Sequence, residues 1–114
     1  MRPHIVTISR VTDPDKKHTK ITYEVLLQGK TVGSAEVEYF HDRQQALIHN
    51  LEIEHDCREQ GIGSFVVGWI VTHTPYLVGT SYERESAYEF WAGMRHRFKG
   101  RMLPPFESLE EGIS

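Results

Sequence analysis

Apolar and polar residues alternate along much of the first half of the chain, which is the period of half-buried β-strands. A polar segment over 12–20 contains Asp-Pro-Asp and predicts a loop. The residues around Gly29 and Lys30 indicate the turn of an antiparallel hairpin. The pattern therefore predicts four strands, over residues 4–11, 21–28, 31–40 and 46–54.

One side of the fourth strand is notably polar. A strict period of two puts three residues on one face of it, namely His49, Leu51 and Ile53. The opposite face then carries Ile48, Asn50, Glu52 and Glu54.

The apolar period changes to that of an amphipathic helix after residue 61. Five apolar residues have helical i, i+3, i+4, i+7, i+8 spacing and predict a helix over 62–73: Ile62, Phe65, Val66, Trp69 and Ile70. Gly68 and the high valine content favour a strand instead, but the periodicity decides for a helix. Pro75 ends this helix, and 76–80 follows as a short buried strand.

A second helix is predicted after this strand. Thr80 and Glu83 have the spacing of a capping box. Its apolar stripe consists of Ala87, Trp91, Met94 and Phe98. Beyond it, only a short strand near 101–103 is expected. The elements together predict an α/β (α+β) domain with a mixed, mostly antiparallel sheet and two main helices.

Length and composition limit the possible classes of protein. A chain of 114 residues is expected to form a single domain over 1–114. Its net charge of -3 gives no indication of nucleic-acid binding. It has no apolar run of membrane-spanning length and no apolar leader, so we expect no membrane association and a cytoplasmic location. The lone Cys57 and the scattered histidines predict no metal site.

The segment from Arg58 to Gly63 is the first candidate for a binding site. Its glycines allow the backbone to approach a ligand closely, and its amides lie at the start of a helix, where phosphate binds. A glycine-containing loop before a helix is also a common connector. A dinucleotide site would need Gly-x-Gly-x-x-Gly, which this loop lacks.

A longer stretch around this loop, Leu-Glu-Ile-Glu-His-Asp-Cys-Arg-Glu-Gln-Gly-Ile-Gly-Ser-Phe-Val-Val from Leu51, resembles the acetyl-coenzyme A motif of the Gcn5-related N-acetyltransferases. Glu-Ser-Ala-Tyr-Glu-Phe-Trp from Glu85 is similar to the family's second motif. The resemblance runs from about residue 46 to 98. It implies the acyl-coenzyme A N-acyltransferase fold, without the helices that many members have between strands one and two.

The resemblance also implies a function and a set of binding residues. It predicts transfer of an acetyl group from acetyl-coenzyme A directly to a primary amine, either on a protein or on a small molecule. Leu51 and Ile53 would pair with the pantetheine arm. The loop and helix start would hold the pyrophosphate through Arg58, Glu59, Gln60, Gly61, Ile62, Gly63 and Ser64.

Catalytic groups are less well defined by the sequence. An amine with a pKa near 10.4 reacts only when deprotonated, so a general base is expected, with Glu52, Glu54 and His49 as candidates. The family's usual tyrosine acid is replaced by Trp91, which leaves Tyr88 or water to protonate the thiolate. Each candidate base could equally be an ordinary strand residue.

Several alternatives stay open at this stage. The domain could bind the coenzyme without turnover, with Trp91 as the supporting feature, or it could be an interaction domain whose loop is only a connector. The basic residues Arg95, Arg97, Lys99 and Arg101 could contact the coenzyme, although a solvated helix end is the simpler interpretation. The short segment between strands one and two implies an exposed acceptor or a pocket completed by a second subunit in a homodimer.

Overall fold

The computed structural model describes residues 2–58 and 60–105. In this part of the chain one five-stranded sheet carries two helices. The strands are β1 (His4–Asp13), β2 (His18–Leu27), β3 (Lys30–Phe40), β4 (Gln45–Ile53) and β5 (Leu77–Thr80). The helices are α1 (Ile62–Thr72) and α2 (Tyr88–Arg97). Short 3₁₀ turns cover His55–Cys57 and Glu85–Ala87.

The strands lie in the order β1-β2-β3-β4-β5. The first four are antiparallel, and β5 pairs parallel to β4 after the α1 crossover. The predicted fold class is confirmed, including the direct connection of strands one and two. The loop expected over 12–20 is shorter, since Thr12 pairs with Thr19 and Asp13 with His18. Asp13 Oδ1 accepts hydrogen bonds from the backbone amides of Asp15 and Lys16, and these bonds hold the chain in a tight turn.

Both helices pack on one face of the sheet. On that face Val25, Val37 and Ile48 are fully or almost fully buried against Val66 and Ile70 of α1. No helix of the described residues covers the opposite face. Strand β1 is therefore more exposed than the half-buried strand predicted from its alternation, with Val6, Ile8 and Val11 between 40% and 63% exposed.

Glycines allow α1 and α2 to lie close together. A Cβ on Gly68 would be 3.2 Å from the ring of Phe98, and one on Gly63 would be 3.4 Å from the ring of Phe90. Gly68, which argued against a helix in the sequence, thus provides space for a ring of the neighbouring segment. The predicted first helix is confirmed. Its packing against Phe98 offsets the low helix propensity of Gly68.

The start of the second helix was predicted wrongly. α2 begins at Tyr88, and the proposed capping box does not form, because Thr80 ends β5 and its hydroxyl donates to Glu83 Oε2 at 2.5 Å. The apolar stripe is confirmed, with Trp91 and Met94 buried. The strand expected near 101–103 is reduced to a single β-bridge between Met102 and Val78. Neither helix of the described chain is long and apolar enough to cross a membrane.

Gly33 determines how closely β3 and β4 approach, which gives a first prediction. A Cβ there would lie 2.4 Å from the carbonyl oxygen of Glu52, a backbone atom that cannot move without separating the strands. We expect Gly33→Ala to lower the free energy of unfolding by about 1 to 3 kcal/mol, measured by urea denaturation.

Gly93 provides the matched control. It lies on the exposed side of α2 with open space around its Cα, so Gly93→Ala should be neutral or stabilise by up to about 1 kcal/mol. Equal stability of the two variants would contradict the close approach at Gly33.

Candidate functional site

Strands β4 and β5 separate at a fork, and the candidate site lies in it. Their pairing ends with Ile48 opposite Thr80, and the Ser81 amide donates to the Ile48 carbonyl at 3.2 Å. Residues 49–53 of β4 have no β5 partner. The fork opens into a cavity of about 920 Å³. Its walls are the end of β4, the first residues of α1, and the segment between Tyr82 and Trp91.

A β-bulge in β4 sits directly at the fork. Asn50 pairs with Glu36 and Ile48 pairs with Val37, so His49 is an extra residue on the β4 side. Ile48, Leu51 and Ile53 consequently all pack against the core. The predicted faces of β4 were wrong for this reason, because one inserted residue shifts the alternation by one position.

The start of α1 forms one wall of the cavity. Gly61 has φ 76°, a left-handed conformation that favours glycine, and no side chain of the described residues caps the helix there. The first intrahelical bond runs from the Phe65 amide to the Gly61 carbonyl. The amides of Ile62, Gly63 and Ser64 therefore have no intrahelical acceptor, and all three residues line the cavity. Such a helix start attracts anions.

Most of the predicted binding residues share this cavity. Leu51, Ile53 and Arg58 line it together with the α1 start. Arg58 Nε donates to the Ile53 carbonyl at 3.0 Å, which holds the guanidinium beside the end of β4. Gln60 is exposed and is not part of the wall. Glu59 lies outside the described residues.

The predicted catalytic residues are placed very differently. His49 and Glu52 both line the cavity, and Glu52 is exposed. Glu54 follows the end of β4 and is not part of the wall. Tyr88 is 57% exposed at the start of α2 and also lies off the wall, whereas Trp91 forms part of it and is 6% exposed.

Both ring nitrogens of His49 are hydrogen-bonded. Nε2 lies 2.8 Å from Glu38 Oε1, and Nδ1 lies 2.8 Å from Ser81 Oγ. Glu38 Oε2 also bonds His18 Nδ1 at 2.8 Å. Burial by itself would raise the pKa of Glu38, but the hydrogen bonds and charges of His49 and His18 outweigh it and hold the pKa below its usual value. Glu38 is therefore a carboxylate at neutral pH.

Several residues of the site were missed by sequence analysis. Glu38 comes from a strand whose sequence shows ordinary alternation, Ser81 directly follows β5, and only the bulge in β4 brings His49 to them. The chain after β5 also contributes side chains to the cavity wall, among them Tyr82, Arg84, Ser86, Glu89 and Phe90. The sequence did not reveal the length of the connection before α2, because the capping-box interpretation placed the start of the helix too early. Within the described residues, no three His, Cys, Asp or Glu side chains could together hold a metal ion.

The basic residues in the last turn of α2 and just after it do not form a solvated helix end as a group. Arg95 forms an ion pair with Glu83, whose side chain is 6% exposed, and Arg95 Nε donates to the Leu103 carbonyl. Arg101 donates to the carbonyls of Val71, Thr74 and Tyr76. Arg95 and Arg101 thus join α2 and the segment after it to the β5 region.

The Glu83 and Arg95 pair yields a second prediction. Arg95→Met would leave the Glu83 carboxylate buried without its cation, and we expect a loss of about 3 to 5 kcal/mol in the free energy of unfolding. Combining it with Glu83→Leu should recover most of the loss in a double-mutant cycle. Arg97→Met, on the exposed side of α2, is the control. Similar losses for Arg95→Met and Arg97→Met would contradict a stabilising role for the pair.

Comparison with known proteins gives structural likenesses only. No family model and no curated protein sequence matches the chain. The Escherichia coli protein YhhK, solved bound to coenzyme A, superposes with a TM-score of 0.61 at 13% identity, over 84% of this chain and 89% of that one. A GNAT family acetyltransferase from Elizabethkingia anophelis with acetyl-CoA bound gives 0.61 at 12% identity, over 83% and 74%.

A third likeness is to a longer protein. A Bacillus anthracis protein assigned as a streptothricin acetyltransferase, in complex with acetyl coenzyme A, gives a TM-score of 0.56 at 16% identity. The match covers 66% of this chain but only 46% of that protein. Together these structures establish that the described chain has the fold of the Gcn5-related N-acetyltransferases.

Proposed function

We propose that this protein is an acetyl-coenzyme A-dependent N-acetyltransferase of the Gcn5-related family that transfers the acetyl group directly to a primary amine. The observation that carries the proposal is the fork between β4 and β5, which opens beside an uncapped helix start. Neighbours of the same fold were solved with acetyl-CoA or coenzyme A bound. A fold likeness alone does not assign chemistry, so the argument rests on the cavity.

The cavity offers a complementary group for each part of the coenzyme. The amides of Ile62, Gly63 and Ser64 would bind the pyrophosphate, with charge-assisted contacts from Arg58. The unpaired edge of β4 over 49–53 would hydrogen-bond the amides of the pantetheine arm as an added strand does. This arrangement directs the thioester into the fork, beside His49.

Departure of the coenzyme does not require a tyrosine acid. Trp91 lies in the wall but its indole cannot serve as an ordinary acid, and Tyr88 lies off the wall. A thiol with a pKa near 8.5 leaves readily as the thiolate close to neutral pH. Water can then protonate it, and we assign Tyr88 no role in the reaction.

The acceptor would approach from the sheet face on which the described residues place no helix. Glu36 and Glu52 lie on this face beside the bulge, since Glu36 pairs with Asn50 and Glu52 with Ser34. Glu36 is paired with Lys20, so the exposed carboxylate of Glu52 is the one that favours a cationic amine. Because β1 and β2 are joined only by a turn over 14–17, the acceptor side is open enough for a protein lysine or N-terminus, or for a second subunit to complete it.

If the coenzyme binds in the cavity, acetyl-CoA should stabilise the folded protein, and a negative charge introduced at the start of α1 should abolish this effect. Acetyl-CoA at about 100 times its dissociation constant should stabilise the fold by about 2.7 kcal/mol, which is a rise in Tm on the order of 10 °C. Ser64→Glu places a carboxylate among the free amides of α1 and should remove most of this rise, measured by thermal unfolding.

The same variants separate loss of binding from loss of folding. A carboxylate in the first turn of a helix stabilises it, so unliganded Ser64→Glu should be at least as stable as the wild type. Ser64→Gln, of equal size and without charge, should keep much of the ligand response. A wild type that does not respond to millimolar acetyl-CoA would refute the coenzyme site.

Glu52 is predicted to bind the acceptor rather than to act as the general base. Its carboxylate is exposed on the cavity wall, so Glu52→Gln should raise KM for a cationic amine about tenfold, the cost of one charge-assisted hydrogen bond, with little change in kcat. Glu54→Gln is the control, off the wall. A fall of about 100-fold in kcat would instead make Glu52 the base.

A non-catalytic coenzyme-binding module remains the second candidate. The observation that favours it is Trp91 in the wall, where the family has its tyrosine. Such a module would give the same thermal stabilisation by acetyl-CoA but release no thiol in the presence of any amine. A thiol-release assay over small amines and lysine peptides distinguishes the two functions.

A further inference from the structure

Four side chains form a continuous hydrogen-bonded row from the fork across the open sheet face. Ser81 Oγ bonds His49 Nδ1, His49 Nε2 bonds Glu38, and Glu38 bonds His18, with 2.8 Å at each step. Ser81 follows β5, His49 is the bulge residue of β4, Glu38 lies on β3 and His18 starts β2. The row therefore connects β2, β3 and β4 with the residue that follows β5, and it reaches the cavity at His49.

The carboxylate of Glu38 determines which nitrogen of His49 carries the proton. A carboxylate only accepts hydrogen bonds, so neutral His49 must donate from Nε2. Nδ1 is then unprotonated and accepts the hydroxyl proton of Ser81. Glu38 is about four-fifths buried, with 18% of its side chain exposed, so it is partly shielded from water as it orients the ring.

This arrangement leaves His49 without a nitrogen for the substrate. Nδ1 is occupied by Ser81 and Nε2 by Glu38, so an incoming amine cannot bond the imidazole directly. Ser81 has spare capacity, because a hydroxyl that donates one bond can still accept others. Ser81 is not itself part of the cavity wall, but its amide donates to the Ile48 carbonyl at the end of the β4–β5 pairing, and it lies between the wall residues His49, its hydrogen-bond partner, and Tyr82, its neighbour in the chain.

We propose that Ser81 is the residue that touches the acceptor amine, and that it passes the amine proton to His49 while Glu38 stabilises the resulting imidazolium. The inference rests on the proposed acetyl transfer and names its base. Ser81 and His49 are catalytic groups in this scheme. Glu38 and His18 are positioning residues, since they act through His49.

The proposed reaction moves the acetyl group from sulfur to nitrogen and one proton from the amine to His49. The amine nitrogen bonds the acetyl carbon, and the bond from that carbon to sulfur breaks to release the thiolate. As the nitrogen becomes positive it gives a proton to Ser81 Oγ, and Ser81 gives its own proton to His49 Nδ1. His49 then donates from both nitrogens, to Ser81 and to Glu38, and later returns the proton to the thiolate through water.

The first test compares variants of Ser81 in the full chain with acetyl-CoA and an amine acceptor. Ser81→Ala should lower kcat about 100-fold, a usual contribution of acid–base catalysis, with little change in KM for acetyl-CoA. Ser81→Thr keeps a hydroxyl and should recover much of the rate. Ser9→Ala, exposed on β1, is the matched control. Unchanged kcat in Ser81→Ala, with transfer by the wild type, overturns the relay but leaves the transferase function intact.

Glu38→Gln tests the positioning role separately. Glutamine keeps the shape and an acceptor oxygen but lacks the charge that stabilises the imidazolium, so kcat should fall at least tenfold while KM changes little. A purely structural role would lower the Tm and leave kcat of the folded protein unchanged, which would contradict the proposal.

A measurement without turnover keeps the proposal testable if no acceptor is found. In the neutral form of His49, nitrogen chemical shifts should show a protonated Nε2 and an unprotonated Nδ1, and Glu38→Gln should mix the two tautomers. A wild-type Nδ1–H tautomer overturns the relay. Mass spectrometry decides the remaining possibility, because an acetyl group retained on Ser81 would show that this serine is a nucleophile and not a proton carrier.

Discussion

The one-residue bulge at His49 is the feature on which the rest of the site depends. Without it, β4 would continue its alternation and Leu51 would face away from the core. The extra residue keeps Ile48 and Leu51 on the core face and turns His49 and Asn50 together toward the open face. The bulge also coincides with the end of β5 pairing, so the change in twist and the opening of the fork occur at the same place.

Close packing at glycines stabilises the end of β4 on its β3 side and brings α1 close to the aromatic rings of Phe90 and Phe98. Gly33 lets β3 lie against the distal half of β4, which carries the cavity wall. Gly63 and Gly68 let α1 approach the rings of Phe90 and Phe98, so both helices fit on one face of the sheet. Within the described residues the second face then carries no helix, which leaves the fork accessible from two directions. The Glu83 and Arg95 pair fixes the remaining wall by tying α2 to the residue that ends β5.

The elements were predictable from the sequence because they depend on periodicity, whereas the catalytic contacts were not. Alternation and helical spacing gave five strand positions and both helices, and the glycine loop indicated the helix start. A bulge leaves no comparable signal, so His49 was assigned to the wrong face and its partner Glu38 was missed. The capping box does not form because Thr80 and Glu83 hydrogen-bond Arg95, which lies fifteen and twelve residues further along the chain. Arg95 looked like part of a surface run for the same reason, since its partner is set by tertiary packing.

The two sides of the fork also differ in charge. In the proposed reaction this difference would direct acetyl-CoA to the helix side and the amine acceptor to the open side. The helix side presents backbone amides and Arg58, which attract the anionic coenzyme. On the open side Glu36 is paired with Lys20 and Glu38 with His18 and His49, so the exposed carboxylate of Glu52 is the group that would favour a cationic amine. In the proposed complex the phosphates of the coenzyme would lie at the start of α1, and its thioester would then reach the bulge. In the proposed reaction the neutral form of the amine attacks the thioester beside Ser81, and its nitrogen becomes positive as it does so. The proposed relay would remove the proton formed during attack without moving either substrate, so that a short sheet with one bulge would suffice on an acceptor side to which the described residues contribute no helix.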